Sequence, residues 1–348
     1  MRHAPLNTPA ERAATEPGAT VADLGERAII ARIRERLPSD PAWAVVGIGD
    51  DAAVIEPPRG ALEVLTTDGL VEGIHFDRRF SRPSDIGWKA LAVNVSDVAA
   101  MGGAPRAALL SLVLPPSFTI DALDELIDGF AALAREARIT LAGGNITRSP
   151  GPLVIDVTLT GSVRRRDLLR RAGAQPGDGV FVTGSVGAGL AGLEWLRSAE
   201  SSIEGMDASV ERYRRPMPRF RIGAVLGRAR VASACMDLSD GLADAARQIT
   251  DASHVGIRIA AESLPVDDGA RNWFETHGRD AAAAAASGGD DYELLFTVPR
   301  KRAGRLRHVR QHARGVPITR IGEITSEREA VLVRDGKPEP LPPGFVHF

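Results

Sequence analysis

Hydrophobic positions along the chain form helical and strand-like stretches that follow one another from residue 24 onward. Apolar residues spaced three and four apart predict amphipathic helices. In the first half these helices cover 24–36, 85–101 and 121–138. Short apolar runs bounded by Gly, Pro or Asp predict strands at 44–48, 62–66, 107–114, 140–142 and 153–161. The mixture predicts an α/β domain.

The second half also mixes both kinds of element. Strands are predicted at 180–183, 231–236, 293–298 and 330–334, and helices at 187–196 and 242–249. A basic stretch at 163–176, closed by Pro176 and Gly177, separates the two halves. We therefore predict a disordered tail over 1–22, an N-terminal domain over 23–163 and an α+β domain over 164–348.

Composition fits a globular protein of about two domains. The chain has 348 residues, of which 44% are hydrophobic and 25% are charged. A net charge of -2 disfavours general nucleic-acid binding. No apolar run approaches the ~18 residues of a membrane span, and the N-terminus lacks the apolar core of a secretory signal. The single cysteine, Cys235, lies in an apolar run, which predicts an inert thiol and a cytoplasmic protein.

Short clusters of aspartate with glycine or threonine are the clearest chemical signal. They are Gly49-Asp50-Asp51, Thr66-Thr67-Asp68-Gly69, Asn94-Val95-Ser96-Asp97, Asp237-Leu238-Ser239-Asp240-Gly241 and Gly289-Asp290-Asp291. Carboxylates repel one another, so several in one site require cations, and hard oxygen ligands suit Mg²⁺ bound to substrate phosphates. Any single cluster is equally well explained as a turn. Because three of them follow predicted strands, we favour one site for phosphoryl transfer.

The cluster of Asp237 and Asp240 is the most specific of these. It lies between a predicted strand and the helix predicted over 242–249. Backbone N–H groups and the positive end of a helix dipole favour metal-bound phosphate at such a junction. Ser239 is the expected N-cap of that helix. The alternative is an ordinary capped helix with a spare carboxylate.

A competing motif runs from Gly187 to Gly192 and matches the dinucleotide fingerprint G-x-G-x-x-G. A dinucleotide site also requires a second strand that ends in an acid about 20 residues later. Residues 198–202 are polar and unlike a strand. We favour a closely packed helix start and keep a dinucleotide oxidoreductase as the weaker alternative.

Two further segments have both a functional and a structural interpretation. Residues 143–148, Gly-Gly-Asn-Ile-Thr-Arg, combine a flexible glycine pair with an arginine whose planar fork suits phosphate oxygens. Gly-Gly-Asn is also common in turns. His75 follows Asp68 closely, and the sequence leaves a substrate contact and a packed histidine equally open.

Taken together, these motifs resemble the thiamine-monophosphate kinase family, in the superfamily that includes aminoimidazole ribonucleotide synthetase and selenophosphate synthetase. The matching segments stand in the family's order and cover nearly the whole chain after the tail. They are GIGDDAAV (47–54), TTDGLVEGIHF (66–76), KALAVNVSDVAAMGGAP (89–105), GGNITR (143–148), AGAQPGDGVFVTG (172–184), MDLSDGL (236–242) and GGDDYELLFTVP (288–299).

The resemblance implies a two-domain synthetase-like fold, α/β and α+β, whose N-terminal mixed sheets pair across a homodimer. It also implies residue roles: Mg²⁺ ligands Asp51, Thr66, Thr67, Asp68, Asp97, Asp237 and Asp240; catalytic residues Asp50 and Asp240; ATP contacts Gly144, Asn145, Arg148 and Ser239; substrate contacts His75, Asp290 and Phe345. Asn145 stands where the family usually has Asp, and Asp290 where it usually has Glu. Phe345 substitutes for a C-terminal aromatic that aligns near Pro342.

The implied reaction is transfer of the γ-phosphoryl group of ATP to thiamine monophosphate with several Mg²⁺ ions. A phosphate monoester with a second pKa of about 6 is ionised at neutral pH, so the acceptor needs no general base. Two alternatives share the acid clusters. A sister-branch ATP-dependent ligase would lack TTDGLVEGIHF, and a non-catalytic nucleotide-binding protein is suggested by Asn145.

Overall fold

The computed structural model describes residues 18–198 and 204–344. The chain divides into two compact units. The first contains the residues up to Arg59, Leu65–Asn94 and Pro105–Thr160. The second contains Gly60–Val64, Val95–Ala104 and the chain from Gly161 onward. The second unit therefore includes two short segments from the first half of the sequence.

A four-stranded sheet is the main feature of the first half. The elements, in chain order, are α1 (Val21–Leu24), α2 (Glu26–Glu35), β1 (Ala44–Val46), β2 (Val54–Ile55), β3 (Leu62–Val71), α3 (Pro83–Ala100), β4 (Ala104–Leu114), α4 (Ile120–Ala137), β5 (Thr140–Arg148) and β6 (Val154–Val163). The sheet has the order β3-β6-β4-β5, and β4 runs parallel to β5. Strands β1 and β2 form a separate antiparallel pair.

The alternation of residues along β6 shows that one face of this sheet is buried. Ile155, Val157 and Leu159 are completely buried, whereas the residues between them are half-buried. Helices α3 and α4 pack closely at two glycines. A Cβ at Gly87 would lie 1.9 Å from the carbonyl oxygen of Leu126, so no side chain fits at this crossing.

A seven-stranded sheet forms the second half. Its elements are β7 (Gly179–Thr183), α5 (Ala188–Arg197), α6 (Met206–Arg214), α7 (Phe220–Arg228), β8 (Ala234–Asp237), α8 (Leu242–Ser253), β9 (Gly256–Ala260), α9 (Asp268–Thr276), α10 (Ala281–Ser287), β10 (Leu294–Val298), α11 (Leu306–His312), β11 (Ile318–Thr325), β12 (Ala330–Arg334) and β13 (Lys337–Pro340). The strand order is β13-β12-β9-β11-β7-β10-β8, with β12 parallel to β9. Its core includes Ile249, Phe274 and Leu295, all completely buried.

Two strands are longer than the sequence predicts. Strand β3 continues to Val71 and β5 to Arg148, so both TTDG and GGNITR lie inside strands. The glycine pair of β5 lies within this paired strand. Gly144 pairs with Leu110 of β4, and a Cβ there would lie 1.9 Å from the Leu110 carbonyl oxygen. The glycine permits close strand pairing.

A short helix begins within the residues predicted to be a disordered tail. Helix α1 begins at Val21, and the Asp23 carboxylate accepts hydrogen bonds from the backbone N–H and the hydroxyl of Thr20, at 2.9 and 2.7 Å. These hydrogen bonds stabilise the first turn of α1, which lies partly within the residues predicted to be a tail. Residues 1–17 lie outside the described chain. Within the described ranges, no helix is long and apolar enough to cross a membrane.

Candidate functional site

Strand β8 delivers a buried carboxylate to one end of its sheet. Asp237, the last residue of β8, is 3% exposed, and its Oδ2 accepts a hydrogen bond from the Ser96 hydroxyl at 2.8 Å. Ser96 is completely buried and directly precedes Asp97 on α3. These contacts lie within the second unit. Ser96 thus links two predicted Mg²⁺ ligands, because it hydrogen-bonds Asp237 and directly precedes Asp97. This serine was not singled out by sequence reasoning.

The loop after β8 lies against the loop that precedes β10. The backbone N–H of Asp290 donates to the carbonyl oxygen of Ser239 at 2.8 Å, and that of Tyr292 donates to Leu238 at 3.0 Å. A Cβ at Gly289 would lie 2.5 Å from the Ser239 carbonyl oxygen, so the close approach requires glycine. The two segments DLSDG and GGDDYE thus meet through their backbones.

Asp290 occupies a strained turn. Both Asp290 and Tyr292 have positive φ angles, 66° and 51°, which non-glycine residues rarely adopt. The hydroxyl of Tyr292 donates to the Asp290 carboxylate at 2.9 Å, and Tyr292 is 6% exposed. Tyr292 was missed because its partner lies only two residues away in a turn whose shape the sequence pattern does not reveal.

Ser239 does not cap helix α8, contrary to the sequence prediction. The helix begins at Leu242, and its N-cap is Gly241, whose φ is 95°. A Cβ at Gly241 would lie 2.4 Å from the carbonyl oxygen of Gly288. The glycine is required because the loop before β10 passes close behind it. The N-cap thus lies two residues after Ser239, whereas the helix start at Leu242 agrees with the prediction.

In the segment with the dinucleotide fingerprint, a side chain of the protein occupies the position where a phosphate would bind. The Asp291 carboxylate accepts hydrogen bonds from the backbone N–H groups of Gly187 and Gly189, at 2.7 and 3.2 Å, at the start of α5. This carboxylate takes the position that a phosphate would need. A Cβ at Gly192 would lie 2.4 Å from the Ser209 carbonyl oxygen, so that glycine serves packing. The closely packed helix start explains the motif.

Burial governs the ionisation of Asp291. Desolvation raises the pKa of its carboxyl group to about 7, although Arg212 and the two backbone N–H donors act to lower it. The neighbouring Glu293 is completely buried and is paired with two arginines. Its carboxylate accepts hydrogen bonds from Arg212 at 2.7 Å and from Arg219 at 2.6 and 2.5 Å. These ion pairs fix the start of β10.

The predicted site residues of the first unit lie mainly on strands β3 and β5. Because neighbouring residues of a strand point to opposite faces, Thr67 lies on the face opposite to Thr66 and Asp68. The hydroxyl of Thr67 lies 3.3 Å from an Asp156 carboxylate oxygen and 3.2 Å from the Thr158 hydroxyl. Asp156 was not predicted, although a lone acid in an apolar strand is a detectable signal.

The other predicted residues of this unit are accessible or locally bound. Asp50 and Asp51 are exposed in the turn after β1, where the backbone N–H of Asp51 donates to the Asp50 carboxylate at 2.8 Å. Gly144, Asn145 and Arg148 are exposed along β5. Phe345 lies outside the described residues.

His75 has a defined ring orientation. Its Nδ1 accepts a hydrogen bond from the backbone N–H of Val71 at 3.1 Å. A neutral imidazole with an accepting Nδ1 carries its proton on Nε2. The hydrogen bond from Val71 therefore fixes both the tautomer and the orientation of the ring.

The donor set of the candidate metal site consists of oxygen atoms. Across residues 18–198 and 204–344, no group of three His, Cys, Asp or Glu residues is arranged to hold a metal ion. Mg²⁺ is usually bound by one or two carboxylates together with water and substrate phosphates, and a complete protein cage is uncommon. Carboxylates and threonine hydroxyls are hard ligands, so the chemistry of these residues fits Mg²⁺.

Comparison with protein families defines the class. The family model for the N-terminal domain of AIR synthase related proteins matches residues 49–163, and the C-terminal model matches 175–335. Together with the two mixed sheets, these matches identify a two-domain AIR synthase related protein.

Individual relatives narrow this class to one family. The chain is 38% identical to thiamine-monophosphate kinase of Escherichia coli strain K12 over 330 residues, 93% of this chain and 98% of that protein. A crystal structure of thiamine-monophosphate kinase from Stenotrophomonas maltophilia K279a has a TM-score of 0.79 and 37% identity, covering 89% of this chain and 96% of that one. A structure of AaThiL complexed with AMPPCP and TMP has a TM-score of 0.73 and 34% identity, covering 94% and 98%.

The chain therefore belongs to the thiamine-monophosphate kinase family. The resemblance seen in the sequence and the expected two-domain fold are confirmed.

Proposed function

We propose that this protein transfers the γ-phosphoryl group of ATP to thiamine monophosphate, forming thiamine diphosphate and ADP. The observation that carries the proposal is the similarity over 94% of the chain to AaThiL complexed with AMPPCP and TMP. The reaction joins two polyanions, and the acceptor phosphate is ionised at neutral pH. The protein must therefore position both phosphates and oppose their repulsion, whereas it need not remove a proton.

Residues that position the two substrates are proposed as follows. We propose that Gly144, Asn145 and Arg148, exposed along β5, contact the ATP phosphates together with Ser239. His75, whose ring is oriented by Val71, and Asp290, in the strained turn before β10, are proposed to contact the substrate. Phe345 is proposed as a further substrate contact.

Aspartate carboxylates and threonine hydroxyls are proposed to hold Mg²⁺. They are Asp51, Thr66, Thr67, Asp68, Asp97, Asp237 and Asp240, with Asp50 and Asp240 also acting in catalysis. When bound, Mg²⁺ neutralises phosphate charge and keeps the reacting oxygens in line. Because Thr67 lies on the face of β3 opposite to Thr66 and Asp68, its hydroxyl would not bind the same ion as those two residues.

We further propose a cytoplasmic homodimer in which residues 23–163 bind ATP and Mg²⁺ and form the dimer, while 164–348 form the α+β domain. Leu65 on β3 and Leu109 on β4 are 69% and 43% exposed. Apolar side chains this exposed on a sheet are suited to burial against a second copy. The free, buried thiol of Cys235 fits a reducing compartment.

The deciding experiment incubates purified protein with ATP, Mg²⁺ and thiamine monophosphate and measures thiamine diphosphate. We expect product with the wild type and a loss of more than 100-fold in kcat, roughly 2.7 kcal/mol or more, for Asp68→Asn and Asp240→Asn, because each loses a charged metal ligand. Thermal unfolding confirms that both variants fold. ATP binding without product would favour the non-catalytic protein that Asn145 suggests, and near-normal turnover by either variant would contradict the metal assignment.

A further inference from the structure

We propose that Ser96 is a positioning residue that fixes the Asp237 carboxylate relative to Asp97. This inference rests on the proposed function for the role of Mg²⁺, and on the structure for the contact itself. The Ser96 hydroxyl donates to Asp237 Oδ2 at 2.8 Å, and the two residues are 0% and 3% exposed. A hydrogen bond between buried groups of this kind holds one orientation of the carboxylate.

Ser96 connects two proposed metal ligands because of its position in the chain. Ser96 directly precedes Asp97 on α3, and Asp237 ends β8. One hydroxyl therefore connects the backbone that carries one proposed ligand to the side chain of another. Because Oδ2 accepts the Ser96 hydroxyl, this hydrogen bond restricts the rotation of the Asp237 carboxylate and so the direction in which the carboxylate faces a cation.

The end of α3 is held firmly enough to transmit this constraint. The backbone N–H of Leu169 donates to the carbonyl oxygen of Met101 at 3.1 Å. Helix α7 packs so closely on α3 that a Cβ at Gly223 would lie 2.1 Å from the Ala99 carbonyl oxygen. These contacts lie within the second unit, as does the Ser96 hydrogen bond. Loss of the Ser96 hydroxyl would therefore remove one constraint on the Asp237 carboxylate while α3 stays in place.

The chain contains a matched control for this hydrogen bond. Ser209 on α6 is also completely buried, and its hydroxyl donates to the Asp267 carboxylate at 2.8 Å. Neither Ser209 nor Asp267 belongs to the proposed site. Ser96→Ala and Ser209→Ala therefore remove serine–aspartate hydrogen bonds of the same length from completely buried serines, although Asp267 is half-buried and Asp237 is buried. Only the first variant touches a proposed metal ligand.

The experiment measures Mn²⁺ binding to the full chain by electron paramagnetic resonance, with a non-hydrolysable ATP analogue and without turnover. The Mg²⁺ concentration for half-maximal activity and the urea midpoint are measured on the same samples. We expect Mn²⁺ affinity to fall about ten-fold in Ser96→Ala and to stay within about two-fold of wild type in Ser209→Ala. Both variants are expected to lose similar stability.

Ser96→Cys keeps a side chain of similar size with a weak donor, so it tests the same point if Ser96→Ala fails to fold. Its expected loss of affinity is intermediate. Unchanged Mn²⁺ affinity in Ser96→Ala, or in Ser96→Cys where only that variant folds, overturns the inference. Equal losses in the Ser96 and Ser209 variants also overturn it. A wild type that makes no thiamine diphosphate, yet shows the affinity difference, removes the proposed function and leaves the role of Ser96 intact.

Discussion

At the scale of single residues, several side chains of the proposed site are oriented by a hydrogen bond from a neighbouring group. Ser96 contacts Asp237, Tyr292 contacts Asp290, and the backbone of Val71 fixes His75. Each partner restricts the orientation of a group proposed to touch a metal or a phosphate. Such restriction lowers the entropy lost when substrates bind.

The hydroxyl of Tyr292 gives the first test at this scale. Tyr292→Phe removes the donor at 2.9 Å from Asp290, and a hydrogen bond to a charged group contributes about 1.5–3 kcal/mol. We expect the KM for thiamine monophosphate to rise about ten-fold, which corresponds to about 1.4 kcal/mol, while the KM for ATP changes little. Steady-state kinetics with each substrate varied measures both constants.

The control is Tyr213→Phe, which removes the hydroxyl of the other, buried tyrosine on α6. It should leave both KM values unchanged. If the two variants alter the KM for thiamine monophosphate equally, Tyr292 has no specific role in orienting Asp290.

At the scale of elements, the start of α5 shows how tertiary packing changes the meaning of a motif. The glycines from Gly187 to Gly192 fit a nucleotide loop by spacing alone. In the structure Asp291 binds the helix N-terminus, and Ser209 packs against Gly192. A sequence pattern cannot report that a carboxylate about 100 residues away occupies the anion position.

A substitution at Gly192 tests this assignment. Gly192→Ala places a Cβ 2.4 Å from a backbone oxygen, so we expect a loss of about 1–3 kcal/mol in the free energy of unfolding. Gly304→Ala is the control, because a Cβ there has no neighbour within 4 Å. Urea unfolding measures both. Nucleotide binding lost at unchanged stability would instead support a phosphate loop at Gly192.

The ionisation of Asp291 predicts a pH dependence of stability. The pKa of Asp291 is about 7 in the folded protein and about 3.9 in the unfolded chain. The contribution of Asp291 to the free energy of unfolding is therefore fully present below the unfolded pKa. It is lost as pH rises from about 4 to about 7. We expect the free energy of unfolding of the wild type, minus that of Asp291→Asn, to fall by at most about 1.4 kcal/mol per pH unit in that window.

Urea unfolding of both proteins at pH values between 4.5 and 7.5 measures this difference. Other titrating groups act equally in both proteins and cancel. A difference that does not change with pH would show that Asp291 is ionised throughout the range.

The same scale shows where element prediction succeeded. The hydrophobic pattern correctly predicted α4 and β12 to within one residue at each end. The same pattern predicted that β3 ends at Thr66 and β5 at Ala142, because the Asp and Gly residues that follow are typical of turns. Both strands continue because neighbouring strands supply the hydrogen bonds, and only the sheet decides that.

At the scale of the whole molecule, the exposed face of the four-stranded sheet predicts self-association. Leu65→Lys replaces an apolar side chain of the proposed dimer contact, 69% exposed, with a charged one. We expect the variant to be monomeric at micromolar concentration, because an unpaired charge in an interface is strongly unfavourable. Light scattering coupled to size-exclusion chromatography measures the mass in solution. Leu65→Met keeps the apolar surface and should remain dimeric; a dimer formed by Leu65→Lys would place the contact elsewhere.

The sequence by itself determined the family, the two mixed α/β halves and the identity of the acidic segments, because these depend on residue type, order and short-range periodicity. Only the tertiary structure decided which groups orient those acids. Ser96 lies 141 residues from Asp237, and Asp156 lies 89 from Thr67. Contacts over such separations arise from the packing of sheets and helices, which local patterns do not encode. The structure also assigned the glycines to close packing, because the space around a backbone exists only in the folded chain.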